Sequence, residues 1–72
     1  MALRVGLIGL GIMGSAYAAH LIDAGFVTSA FDIDAAALER FRKRGGTAAS
    51  SPREVAANSD VIIVALASVK AI

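Results

Sequence analysis

The sequence predicts an α/β fold, a doubly wound parallel sheet threaded in the order β-α-β-α-β-α-β. Three observations carry that expectation. The run Gly9-Leu10-Gly11-Ile12-Met13-Gly14 has G-x-G-x-x-G spacing and follows the apolar stretch Val5-Gly6-Leu7-Ile8, where a strand would turn into a helix. A second β-like run, Phe26 to Phe31, ends at the acidic residue Asp32, about 20 positions after the glycines. Last, Val61-Ile62-Ile63-Val64-Ala65-Leu66 is a continuous β-branched-rich run between polar residues. That composition suits a central parallel strand buried on both faces.

Each element has its own local reasons. A helix is expected from about Ile12 to Ala24, stopped by Gly25, since glycine readily takes the left-handed conformation that closes helices. Gly14, Ala18, Leu21 and Gly25 recur at helical spacing and would form a face of small residues for close packing on a sheet. Asp34, with Ala35-Ala36-Ala37-Leu38 behind it, is a better N-cap for the next helix than Asp32. That helix runs to Arg44 and ends at Gly45-Gly46, with Leu38 and Phe41 inside and Glu39 and Arg40 outside. The cations Arg40, Arg42, Lys43 and Arg44 complement the negative end of its dipole rather than marking a phosphate or nucleic-acid site. Thr47 to Ala49 is a short third strand. Ser51-Pro52-Arg53-Glu54 combines a capping box with proline at the first helical position, starting a helix that ends near Asn58 or Ser59. Right-handed crossovers join the strands.

The glycine run and Asp32 together suggest a chemistry. In a strand–turn–helix the first glycine permits the tight turn and the second lets the backbone approach a pyrophosphate. The third lets helix and strand pack closely. Free N–H groups and the positive end of the helix dipole then face the phosphate oxygens. A carboxylate closing the second strand accepts hydrogen bonds from the hydroxyls of an adenosine ribose, and Asp32 is the candidate. This is a Rossmann-type dinucleotide site, with the whole of residues 1–72 as the N-terminal part of one such domain.

Composition narrows the field. Of 72 residues, 57% are hydrophobic and 18% charged, which excludes disorder from low hydrophobicity. The net charge of +1 is too balanced to imply nucleic acid. There are no cysteines and one histidine, so neither a thiol nucleophile nor a metal cluster is expected. Arg4, the apolar stretch to Met13 and Ala16-Tyr17-Ala18 resemble a secretory signal. The interrupting glycines, and the loss of the first strand that cleavage would cause, argue against that reading. The longest apolar run, Val61 to Ala67, is too short to span a membrane. A cytoplasmic location is expected, and the sequence leaves a homo-oligomer open.

These same residues resemble a known family. The glycine run, Ala18, Leu21, Gly25, Phe31-Asp32, Ser51-Pro52 and Asp60-Val61-Ile62-Ile63 are similar to the N-terminus of the β-hydroxyacid dehydrogenases. That family includes 3-hydroxyisobutyrate dehydrogenase and tartronate semialdehyde reductase, with 6-phosphogluconate dehydrogenase more distant. The resemblance implies that Gly9, Leu10, Gly11, Ile12, Met13 and Gly14 form the pyrophosphate loop and that Asp32 holds the ribose. It also implies that Ala65, Leu66 and Ala67 line the path toward the nicotinamide. NADP-preferring members often carry Asn-Arg where this chain has Asp32-Ile33, so NAD is the expected cofactor and NADP the lesser one. The family tends to have proline where Ala67 stands.

Family members are several times longer, and their catalytic lysine lies downstream. No catalytic residue is therefore assigned here, and Lys70 reads as a solvated side chain. The expectation is the NAD(H)-binding segment of an oxidoreductase that transfers hydride to or from a small β-hydroxyacid. The substrate would be bound only by the full-length protein. The alternatives are a non-catalytic dinucleotide sensor, or a domain for FAD or another adenosine cofactor, in which glutamate often stands where this chain has Asp32.

Overall fold

A computed structural model describes residues 3–65. They run β1 (Arg4–Ile8), α1 (Ile12–Asp23), β2 (Val27–Phe31), α2 (Ala35–Arg44), β3 (Thr47–Ala48), α3 (Pro52–Ala57) and β4 (Val61–Val64). The strands form one parallel sheet in the order β3-β2-β1-β4. The α/β class and the order of elements are as the sequence predicts.

The two faces of the sheet are built differently. Leu7 lies in register with Ala30 on β2 and Ile63 on β4, so the three side chains share one face by the two-residue period of a strand. On that face α1 and α2 cover the core, with Leu7 and Ala30 fully buried and Leu10, Ala18, Ala37 and Phe41 nearly so. Burying a side chain such as Leu7 stabilises the fold by roughly 1.5–3 kcal/mol. The opposite face presents Gly6, and α3 stands directly on it. A Cβ at Gly6 would collide with the Ser59 hydroxyl and Val55 Cγ1, and Val55 is fully buried there.

Caps punctuate the elements. The Gly25 N–H donates to the Ile22 carbonyl and the Phe26 N–H to the Leu21 carbonyl, each at 3.0 Å. This pair of bonds is the Schellman pattern, with Gly25 at φ 90°. It takes Phe26 out of the expected second strand, because its N–H is spent closing α1. Gly25 is consequently exposed and is not part of the small-residue packing face, which comprises Gly14 and Ala18 with Leu21 half-buried beside them. Asp34 caps α2 by accepting from the Ala36 N–H at 3.0 Å. Ser51 caps α3 through the Glu54 N–H at 3.1 Å. Glu54 does not return to the N-cap N–H as a capping box requires. It accepts instead from the Ser50 N–H and hydroxyl, at 2.6 and 2.8 Å, which anchors the loop one residue earlier.

The run beginning at Val61, expected to be a central strand buried on both faces, pairs with β1 on one side only among the described residues. Val61, Ile62 and Val64 are 44%, 41% and 61% exposed. The strand order sets its one partner. The crossover from β3 passes over β2 and β1 to reach the free side of β1, so β1 becomes central. The short α3 meanwhile packs on β1 and β2. Leu66, expected to end this strand, lies outside the described residues.

A clamp not anticipated from the sequence ties β1 to β4. The Arg4 guanidinium donates to both carboxylate oxygens of Asp60 at 3.3 and 3.2 Å, and the Arg4 N–H donates to the same carboxylate at 2.9 Å. The Asp60 N–H returns to the Arg4 carbonyl at 2.7 Å. These bonds hold the Asp60 carboxyl below its ordinary titration value, the guanidinium hydrogen bonds contributing most.

Candidate functional site

Parallel strands deliver their carboxyl ends to one edge of the sheet, and ligands of such sheets bind where the strand order reverses. Here the reversal falls between β1 and β4. A crevice of about 390 Å³ opens at that edge. Ile8, Gly9 and Gly11 line it from β1 and the following loop. Phe31, Asp32 and Ile33 line it from the end of β2, Ala65 from the end of β4, and Pro52 from the start of α3.

The loop geometry follows from its glycines. Gly9 has φ 105°, in the region that residues with a Cβ rarely adopt, and its N–H donates to the Phe31 carbonyl of β2 at 2.9 Å. Gly14 is buried against the loop. A Cβ there would collide with the Gly9 carbonyl, so the third glycine lets helix and loop touch. Gly11 is the N-cap of α1 and offers no side-chain cap, and no acidic residue occupies the first turn. The first N–H groups of a helix have no intrahelical partner. This end of α1 therefore presents donors and a positive dipole that no residue of its own neutralises.

Asp32 is half-buried and already engaged. One carboxylate oxygen accepts the Leu10 N–H at 2.6 Å and the other accepts the Asp34 N–H at 2.8 Å. A carboxylate has about four acceptor positions, so two remain for further donors.

The structure separates the residues named from the sequence into groups. Gly9, Gly11, Asp32, Ile33 and Ala65 line the crevice. Gly14 shapes it from behind. Leu10 contributes its N–H to Asp32 while its side chain is buried in the core at 3% exposure. Ile12 and Met13, 93% and 64% exposed, form the first turn of α1 and do not line the crevice. Leu66, Ala67 and Lys70 lie outside the described residues. Pro52 was read only as a helix starter, and Ile8 and Phe31 only as strand residues. The signal for all three was topological: every loop after a parallel strand arrives at the same edge. His20 is exposed in the last turn of α1. Among the described residues no group of side chains could hold a metal ion.

With this geometry in place, comparison with known proteins is decisive. The family described as the NAD binding domain of 6-phosphogluconate dehydrogenase matches residues 4–72. The chain belongs to that family. A relative from Arabidopsis thaliana, "Probable 3-hydroxyisobutyrate dehydrogenase-like 2, mitochondrial", is 39% identical over 59 residues, covering 82% of this chain and 20% of the relative. The L-threonate dehydrogenase of Cupriavidus necator is 40% identical over 63 residues, covering 88% and 21%. This member of the NAD-binding family thus spans about a fifth of the length of the curated relatives it matches.

Solved structures agree with the fold. Mycobacterium tuberculosis 3-hydroxyisobutyrate dehydrogenase superposes with a TM-score of 0.86 at 33% identity, covering 92% of this chain and 23% of that one. An imine reductase variant from Myxococcus stipitatus in complex with NAD+ gives 0.88 at 30% identity, with the same coverage. A Myxococcus stipitatus imine reductase structure with NADP+ gives 0.82 at 31% identity, covering 85% and 21%. Both nicotinamide dinucleotides therefore occur among the structural neighbours.

Proposed function

We propose that this chain holds NAD(H) for an oxidoreductase that moves a hydride between the nicotinamide and the hydroxyl-bearing carbon of a small β-hydroxyacid. The supporting observation is the crevice at the strand reversal, which joins a bare helix N-terminus to a carboxylate with acceptor positions to spare. The residues present fit such a cofactor. Gly9 and Gly11 leave the backbone open where a pyrophosphate needs close approach, and α1 directs its dipole there. Asp32 accepts from ribose hydroxyls. A 2′-phosphate would meet that carboxylate with Ile33 beside it and no compensating cation among the described residues that line the crevice, which favours NAD over NADP.

When bound, the nicotinamide supplies the hydride chemistry, and the protein supplies binding and orientation. In this reading no described residue carries out proton transfer to the substrate, and the 72 residues alone are catalytically silent. The substrate is bound in the full-length protein, for which a homo-oligomer and a cytoplasmic location are proposed. Cell fractionation tests the location, and recovery in an organelle fraction would overturn it.

The cofactor assignment is tested by titrating the full-length protein with NAD(H) and NADP(H). Tighter binding of NAD(H) is expected, and the double substitution Asp32→Asn with Ile33→Arg should shift the ratio toward NADP(H). Preference of the unsubstituted protein for NADP(H) would overturn the role given to Asp32.

A further inference from the structure

Asp32 joins the end of β2 to the glycine-rich loop after β1. Its Oδ2 accepts the Leu10 N–H at 2.6 Å across 22 positions of sequence, and its Oδ1 accepts the Asp34 N–H at 2.8 Å. The first of these is a short charge-assisted bond to the middle of the glycine-rich loop. On either side of Leu10 the loop is held at the backbone. Gly9 is fixed to β2 through the Phe31 carbonyl at 2.9 Å, and the Gly11 carbonyl begins α1 by accepting the Ser15 N–H at 2.8 Å. The Leu10 peptide lies between these two points. Its side chain is sealed into the core, and Asp32 supplies the partner for its N–H. The Leu10 carbonyl is likewise taken, by the Ser15 hydroxyl at 2.9 Å.

We propose that Asp32 is a positioning residue for the glycine-rich loop: its carboxylate latches the Leu10 peptide and so sets the loop before any ligand arrives. The consequence for ligands rests on the cofactor reading above. The latch requires two acceptors facing two N–H donors. Asparagine has one acceptor oxygen, enough to keep the Leu10 bond while giving up the Asp34 one, whereas Asp32→Ala removes both. Loss of the Leu10 bond frees the loop that faces the phosphates, although Asp32 itself touches no phosphate. The ribose end and the pyrophosphate end of the crevice are thus coupled through one side chain.

Inorganic pyrophosphate separates this role from ribose binding, because it has no ribose. If Asp32 served the ribose alone, removing its negative charge would leave pyrophosphate affinity unchanged or raise it, by relief of like-charge repulsion. With the latch, Asp32→Ala lowers pyrophosphate affinity by about threefold or more despite that relief, the order expected for one lost charge-assisted bond. Amide hydrogen exchange and NMR on the ligand-free full-length protein provide a second readout. The Leu10 amide is expected to be protected and strongly deshielded in the unsubstituted protein, and to exchange about tenfold faster or more in Asp32→Ala, as local opening predicts. The Ala30 amide in β2 should stay protected.

An unprotected Leu10 amide in the unsubstituted protein overturns the latch whether or not the variant folds. Equal Leu10 exchange in the two proteins, or equal or tighter pyrophosphate binding by Asp32→Ala, also overturns it. If the unsubstituted protein binds neither NAD(H) nor pyrophosphate, the proposed function fails, and the Leu10 amide still decides the latch.

Discussion

Gly9 and Gly11 are both glycines of one loop, yet their backbones call for different explanations. Gly9 holds φ 105°, where a Cβ is strained at a cost of about 1–3 kcal/mol. Gly11 holds φ −70° and ψ −158°, a conformation open to any residue. The sequence alone suggests that Gly11→Val would both strain the turn and fill the pyrophosphate space, and the structure removes the first effect. Gly11→Val should therefore fold with nearly unchanged thermal stability and lose NAD(H) affinity by more than about tenfold, or 1.4 kcal/mol. Gly9→Ala should lower stability by about 1–3 kcal/mol. Calorimetry and cofactor titration of both variants check the separation. Normal binding by a folded Gly11→Val would show that the loop is not a phosphate cradle.

Among the elements, β1 and β4 are joined at their starts by the Arg4–Asp60 clamp. The folded protein holds the Asp60 carboxyl below its ordinary value of 3.8, first through the Arg4 guanidinium hydrogen bonds and then through the Arg4 N–H. The unfolded chain therefore binds the proton more readily, and protonation favours unfolding. The clamp's contribution is complete above pH 3.8 and is lost as the pH falls below it, through the folded value. Glu54, lowered mainly by the Ser50 N–H, and Glu39, lowered mainly by Arg42, act with the same sign below 4.5. Asp60→Asn should flatten part of this acid limb and leave the pH dependence above neutrality unchanged. Urea denaturation across that range measures it, and an unaltered acid limb would show that the pair adds nothing.

At the scale of the molecule, the sheet of the described residues ends in an apolar edge. Val61, Ile62 and Val64 are exposed on β4, and an uncovered apolar edge strand is a template for association. The isolated 72-residue chain is accordingly expected to self-associate as its concentration rises, and to catalyse no NAD-linked oxidation of β-hydroxyacids. Sedimentation velocity and a turnover assay test the two statements. A stable monomer with measurable turnover would contradict the proposal that chemistry requires the full-length protein.

Local chemistry made most of the chain legible in sequence. Glycine spacing announced the first turn, Asp34 and Ser51-Pro52 announced two helix starts, and Gly25 and Gly45 announced two helix ends, because each acts within a few residues of itself. Asp32 could be named for the same reason: it closes a strand at a set distance from the glycines. What it touches in the protein could not be named, since the Leu10 N–H is brought to it by pairing of β1 with β2. The Arg4–Asp60 clamp and the arrival of Pro52 at the crevice were hidden for the same cause. The apolar run of β4 reads in sequence as a strand covered on both faces, because composition records what a strand can bury. Its pairing with β1 was decided by strand order. The sequence by itself determined the order of the elements and most of the signals that start and stop them. Only the tertiary structure decided which of them meet, because those meetings depend on contacts between segments that local interactions do not specify.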